Sequence, residues 1–197
     1  MKTRGFISLE IAEFDEDLVR AYQLLKKIPG AFPQAVSNAV NRTLETVRSE
    51  AVRGTAGRYF VKQGEVRKTI ELKKTSAGNL HGAMVSRGKR KRLQEYKLTP
   101  NSPIGNKKGF KGAVMREGGL KPLPKGTFMM NTPTAGWLLF NRIRPGKGWG
   151  NIEHIGSPSI PQIIKNRETF AEMQARADRV FWQRLDHEVM RILGALP

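Results

Sequence analysis

No cysteine occurs anywhere in the chain. That excludes disulfides, thiolate zinc centres and cysteine nucleophiles, and fits a protein made in a reducing cytoplasm. No apolar run approaches the ~18 residues of a membrane-spanning helix, so no span is expected. The start, "MKTRGFISLEIAEFDEDL", has its apolar positions broken by Glu10, Glu13 and Asp15. A secretory signal needs an uninterrupted apolar core, so export by that route is not expected. Aspartate is missing between Asp17 and Asp178. Aromatic residues are sparse where the basic residues are densest: Tyr96 is the nearest, so no stacking platform for single strands is indicated.

What remains is a chain of 197 residues, 39% hydrophobic and 26% charged, which reads as one globular domain and not as a disordered tail. The net charge is +18 and is unevenly placed. Residues 1–57 hold 8 Lys/Arg against 7 Asp/Glu, residues 58–150 hold 21 against 4, and residues 151–197 hold 6 against 6. Nearly all the excess therefore sits in the middle. Such a field attracts polyanions without reading their sequence.

The two ends read as helical and the middle as strands. Phe14, Leu18, Tyr22, Leu25 and Ile28 recur at helical spacing, up to the break at Pro29-Gly30. Pro33 then fits the first turn of a second helix, with Val36, Val40, Leu44, Val47 and Ala51 as its stripe, ending near Gly54 and Gly57. "VKQGEVRKT" predicts a short helical turn, and Ile70 and Leu72 alternate with Glu71 and Lys73 as a strand does. "TSAGN" reads as a turn and "LHGAMVS" as the returning strand. "LQEYKL" places Gln94, Tyr96 and Leu98 on one strand face and Leu93, Glu95 and Lys97 on the other. "GAVMRE", "TFMMN" and "GWLLFNRI" add further strands.

Loops 99–112 and 144–151 are rich in Gly, Pro and Lys, and read as open until a partner orders them. A long helix is expected from about Asn166 to Leu193, with Phe170, Met173, Ala177, Val180, Phe181, Leu185, Val189 and Ile192 as its stripe. Phe181 and Trp182 read as spare apolar positions for a neighbour or the sheet. The class is α+β in a single domain. Two N-terminal helices precede a central antiparallel sheet or small sandwich of five to seven short strands, and a long C-terminal helix closes the chain.

Catalytic signatures are few. His81, His154 and His187 stand alone, without zinc-ligand spacing. "GSPSIPQ" lacks the strand–turn–helix elbow of a nucleophilic serine and reads as a helix start capped by Ser157 or Ser159. "GNKKGFKG" lacks the Gly-Lys-Ser/Thr of a phosphate loop. Glu71-Leu72-Lys73 and Glu95-Tyr96-Lys97 resemble the acid–lysine pairing of metal-dependent nucleases, but only if their strands are neighbours. No enzyme, metal or cofactor is expected. The run Lys89-Arg90-Lys91-Arg92 reads either as a solvated hairpin tip or as a surface for phosphates. With it go Arg87, Lys107, Lys108, Lys111, Lys121 and Lys125, in loops or at strand ends, as residues facing DNA or an acidic partner.

The order of features carries a resemblance. "NAVNRTLETVRSEAVR" leads into "RYFVKQGEVRKTIELKKTSAGNLHGAMVSRGKRKRL"; then come the glycine–lysine loop, the strand pairs, "HIGSPSIPQIIKN" and a closing "RLDHEVMRIL". From about residue 15 to 195 this resembles the prophage minor tail protein Z family of long-tailed bacteriophages. Tyr96 departs from the phenylalanine more usual there. The resemblance implies a virion protein at the head-proximal tail end, made in the host cytoplasm and acting in tail completion. It implies a six-fold ring, with the tail terminator, tail tube or head-completion ring as neighbours and genomic DNA as a non-specific guest. No catalytic residues come with it. The rival reading is a monomeric, sequence-independent DNA-binding protein.

Overall fold

Two helices of 28 residues each, α2 (Ala31–Arg58) and α5 (Arg167–Gly194), form the frame. The computed structural model describes residues 3–8, 16–102, 109–144 and 151–194. Lys107, Lys108 and most of loop 144–151 lie outside these, as does Phe14. At 1.5 Å per residue each long helix runs about 42 Å. They are antiparallel: Asn38, early in α2, donates to Glu188, late in α5 (3.0 Å), while Arg58 at the end of α2 reaches Thr169 and Glu172 at the start of α5 (3.0 and 2.6 Å).

The expected stripe of α2 is buried throughout, from Val36 to Ala51. Gly54 and Gly57 do not end the helix, although each costs about 1 kcal/mol relative to alanine. Val52, Thr55 and Ala56 are buried against the rest of the core, and that packing carries the helix on to Arg58. In α5, Met173, Ala177, Val180, Phe181, Leu185 and Val189 are buried as expected. Phe181 is not spare: it is 5% exposed and meets Trp182 edge-on at 4.9 Å.

Helix α1 (Glu16–Leu25) turns Ala21 and Leu25 inward, with Leu18 packed at the margin. Tyr22 was expected on that face but is 53% exposed, meeting Phe32 edge-on at 5.4 Å. The small Ala21 lets α1 lie close, which a tyrosine would prevent.

Helix α3 (Gln63–Thr69) and strand β2 (Ile70–Lys73) follow as expected. With β1 (Thr3–Ser8) and β3 (Ala83–Gly88), β2 forms an antiparallel sheet in the order β1-β3-β2. The loop before β3 is pinned to α2 by Asn41, which donates to the Thr75 carbonyl and accepts the Thr75 N–H (3.0 and 2.9 Å). Gly82 fits where little else would. A Cβ there would stand 2.7 Å from Val40 Cγ1 and 3.0 Å from Leu44 Cδ1.

The remaining strands are β4 (Arg90–Arg92), β5 (Lys97–Thr99), β6 (Lys111–Ala113), β7 (Lys121–Pro122), β8 (Thr127–Thr132), β9 (Gly136–Arg142), β10 (Ile152–His154) and β11 (Gly156–Ser159). They form three further small antiparallel sheets: β11-β4, β5-β6-β7 and β10-β9-β8. The expected central antiparallel sheet or small sandwich of short strands takes the form of several small antiparallel sheets. A second, smaller core of Leu93, Leu98, Phe110 and Leu139 lies among these strands, apart from the main core under the helices. "GAVMRE" contributes β6 and then a bridge from Met115 to Tyr59. "LQEYKL" is not one strand: Leu93–Glu95 is a single 3-10 turn, and Leu93, Tyr96 and Leu98 are all buried. The turn removes the alternation, because Leu93 is needed in the small core and Tyr96 in the main one.

Helix α4 (Ile160–Ile164) starts as its sequence indicates. Pro161 is in its first turn and Gln162 accepts the Ser159 N–H at 2.8 Å. No helix among the described residues is long and apolar enough to cross a membrane.

Three outcomes follow. Leu185→Ala should lower the unfolding free energy by ~2–5 kcal/mol in urea titrations, because its side chain has no solvent to retreat to. Gly82→Ala should cost ~1–3 kcal/mol through overpacking against the stiff Val40 side chain. At Glu188, burial alone would raise the carboxyl. Hydrogen bonds from Asn38 and Arg191, with the Arg191 charge, outweigh it and hold the group below its ordinary 4.5. A depressed carboxyl stabilises above its unfolded value and loses that contribution as pH falls through the folded one. Stability of the native chain should therefore fall more steeply below pH 4.5 than that of Glu188→Gln, as read from thermal melts across pH.

Candidate basic interface

Three residues of the tetrabasic run, Arg90–Arg92, form strand β4, and the run is not a hairpin tip. After β3 ends at Gly88, one residue intervenes before β4 pairs antiparallel with β11, Arg92 opposite Gly156 and Arg90 opposite Ser159. Alternation along a strand then splits the cluster. Arg90 is exposed and Arg92 partly so, whereas Lys91 turns inward with 15% of its side chain exposed. Its ammonium donates to Glu65 on α3 at 2.8 Å and stands 5.8 Å from the Tyr96 ring centre. Lys91 is thus spent on fixing β4 to the helical core.

The "GSPSIPQ" motif receives this strand. Ser157 Oγ donates to the Lys91 carbonyl (2.6 Å), and Tyr96 Oη donates to the Pro158 carbonyl (2.8 Å). Burial pushes the Tyr96 phenol well above its ordinary range, so it stays a donor. Here the tyrosine that departs from the expected phenylalanine has a partner for its hydroxyl. Close by, burial and then the Arg92 charge lower the His154 imidazole, which packs edge-on against Phe140 at 5.7 Å.

The other basic candidates lie at the surface. Arg87 is exposed on β3 and stands 3.7 Å from Glu71. Lys89 is exposed between β3 and β4; Lys111 and Lys121 are exposed on β6 and β7, and Lys125 in the turn before β8. Among the described residues, none of Lys89, Arg90, Arg92, Lys111, Lys121 and Lys125 has a carboxylate within ion-pair distance. Lys111 and Lys121 lie on paired strands, Lys111 opposite Pro122 and Gly112 opposite Lys121, and Lys125 follows shortly after β7.

Two cations that the sequence reading did not group with these meet at Phe60. Lys97 Nζ is 5.5 Å and Arg116 Cζ 5.0 Å from the ring centre. Such contacts contribute ~0.5–1 kcal/mol each at exposed sites. Backbone pairing puts them there: the Phe60 N–H donates to Val114 (2.9 Å), the Arg116 N–H to Arg58 (2.8 Å), and Arg116 Nε to Ala56 (3.0 Å). No local pattern joins residues so far apart along the chain.

The nuclease pairing fails its own condition. Glu71 lies on β2, whose partner is β3; Glu95 lies in the 3-10 turn and accepts the Arg92 N–H (3.0 Å), and β5 after it pairs with β6. Among the described residues no group of three or more His, Asp or Glu side chains could hold a metal ion.

Comparison with curated proteins and with solved structures gives no match. The family model described as prophage minor tail protein Z (GPZ) matches residues 16–195. That match takes in both long helices, the basic strands and the "GSPSIPQ" receiver. The chain belongs to the prophage minor tail protein Z family, and is thereby a structural protein of the phage tail.

Proposed function

We propose that this minor tail protein is a ring subunit at the head-proximal end of the tail, acting in tail completion and head–tail joining. Its basic surface faces the genomic DNA or an acidic neighbouring ring, such as a tail terminator, tail tube or head-completion ring. One observation carries this reading most strongly. The helical frame is close to charge-neutral, while Lys89, Arg90, Arg92, Lys111, Lys121 and Lys125, on the strands and the turns joining them, have no carboxylate partners among the described residues. A six-fold ring would multiply the central excess to on the order of a hundred positive charges, a field that repels itself unless an anion lies within it. The role is one of assembly, and the chain's residues do the work of a charged gasket rather than of a catalyst.

The test is imaging of tails by cryo-electron microscopy. Six copies at the head-proximal end, with β6 and β7 turned to the lumen or to the adjoining ring, is the expected result. A single copy, or a position along the tube wall, would overturn it. Tails built with Lys111→Glu, Lys121→Glu and Lys125→Glu together should join heads several-fold less often in particle counts, with the isolated protein still folded.

A further inference from the structure

The Phe60 cluster differs from the other exposed cations in being held in place. Lys97 and Arg116 both stand on the Phe60 ring, so they are no farther apart than the sum of their distances to its centre, 5.5 and 5.0 Å. Arg116 is fixed further by its Nε bond to Ala56, which leaves the outer guanidinium nitrogens for a ligand. Lys111 lies on the same sheet face as Lys97: Lys97 is opposite Ala113 and Thr99 opposite Lys111 in the β5–β6 register. Lys97, Lys111 and Arg116 are exposed, and none has a carboxylate within ion-pair distance among the described residues. Glu95, the nearest acid to Lys97 in sequence, is occupied by the Arg92 N–H.

We infer that Lys97 and Arg116, posted on Phe60 with Lys111 beside them, form a clamp for consecutive phosphates of the DNA backbone. This rests on the DNA-facing form of the reading above. An acidic protein is the alternative guest, and the chemistry of the face favours DNA. Lys97, Thr99 and Lys111 are exposed while Leu98 and Gly112, which point to the other face, are buried. Protein interfaces centre on apolar anchors, and backbone interfaces on cations spaced along a line. The segment from Lys111 to Arg116 spans no more than about 17 Å, a length over which a duplex presents several phosphates. Cations already immobilised lose less side-chain freedom on binding, which favours them over the mobile lysines of the turns. The clamp reads no bases, so affinity is sequence-independent.

The experiment is fluorescence anisotropy of the full chain with a labelled mixed-sequence duplex of ~30 base pairs over a series of salt concentrations. The native protein should bind, with affinity falling linearly against salt on logarithmic axes. Lys97→Gln/Arg116→Gln should weaken binding by ~10-fold or more and flatten the slope by about two phosphates' worth, ~1.8. Arg67→Gln/Lys68→Gln removes two exposed charges on α3 and should do much less. Phe60→Leu keeps both charges but removes the ring, and should weaken binding several-fold. Because Arg116 also bonds Ala56, Lys97→Gln alone, which breaks no hydrogen bond, is the second variant, with an expected slope change of ~0.9.

Absence of duplex binding at low salt overturns the clamp. So does equal loss in the α3 pair, native-like binding by Phe60→Leu, or competition by poly-glutamate as effective as that by unlabelled DNA at equal charge. None of these results bears on copy number or position in the tail, which imaging decides separately.

Discussion

Ala35, Ala39 and Ala51 on α2 and Ala177 on α5 have no exposed surface, and these small side chains let the two long helices run close together over their whole antiparallel length. The rest of the chain depends on that contact. At one end it is closed by Asn38 and Glu188, at the other by Arg58 with Thr169 and Glu172. Against this pair lie α1, α3, α4 and the β1-β3-β2 sheet, each adding a few side chains to one core. Helices of this length seldom hold by propensity alone; the buried stripe does it.

The basic middle, by contrast, has little apolar material of its own. A small core of Leu93, Leu98, Phe110 and Leu139, of which Leu139 is completely enclosed, supports several short strands, among them β6 and β7 with the exposed Lys111 and Lys121. Such a layer stays folded because it is tied to the frame at specific points. Lys91 reaches Glu65, Ser157 and Tyr96 close the β4–β11 corner, and Val114 and Arg116 pair with the end of α2. One of the region's few carboxylates, Glu65, is used to fold the basic strand inward, whereas Lys89, Arg90, Arg92, Lys111, Lys121 and Lys125 have no carboxylate within ion-pair distance among the described residues. Repulsion among them is tolerated because they point into solvent.

The long helices, the turn at Ser76–Asn79, α3 with β2, and the capped start of α4 were all legible in the sequence. Each rests on a local signal: an apolar period, a Gly/Asn turn, a proline in a first turn. What escaped depends on contacts between distant segments. Tyr22 lost the inward position to Ala21 because α1 lies close to its neighbours, which no period of three or four reports. "LQEYKL" looked like an alternating strand, but Leu93 and Leu98 go to one core and Tyr96 to the other, and only a tight turn satisfies both. At the candidate site, the exposure of Lys111, Lys121 and Lys125 was readable from composition. The meeting of Phe60, Lys97 and Arg116 was not, since it needs residues 58–60 laid beside 114–116.

The tetrabasic run shows why counting charge is a poor guide to where charge acts. Four basic residues in a row imply a solvated projection, yet alternation on a paired strand forces one of them inward, and the fold uses it as a tie. A strand in that position must turn every second side chain toward the interior. Lysine is tolerated there because its long apolar stem can cross the interior face while its ammonium reaches Glu65 and the face of Tyr96. The same logic works in the opposite sense at Phe60. Lys97 and Arg116 look unremarkable in sequence, but an aromatic ring and a main-chain bond hold them where a mobile lysine would have to be ordered by its ligand. Charge density along the chain identifies where positive charge is in excess. Within such a region, side chains whose positions are fixed in advance lose the least freedom on meeting any anion.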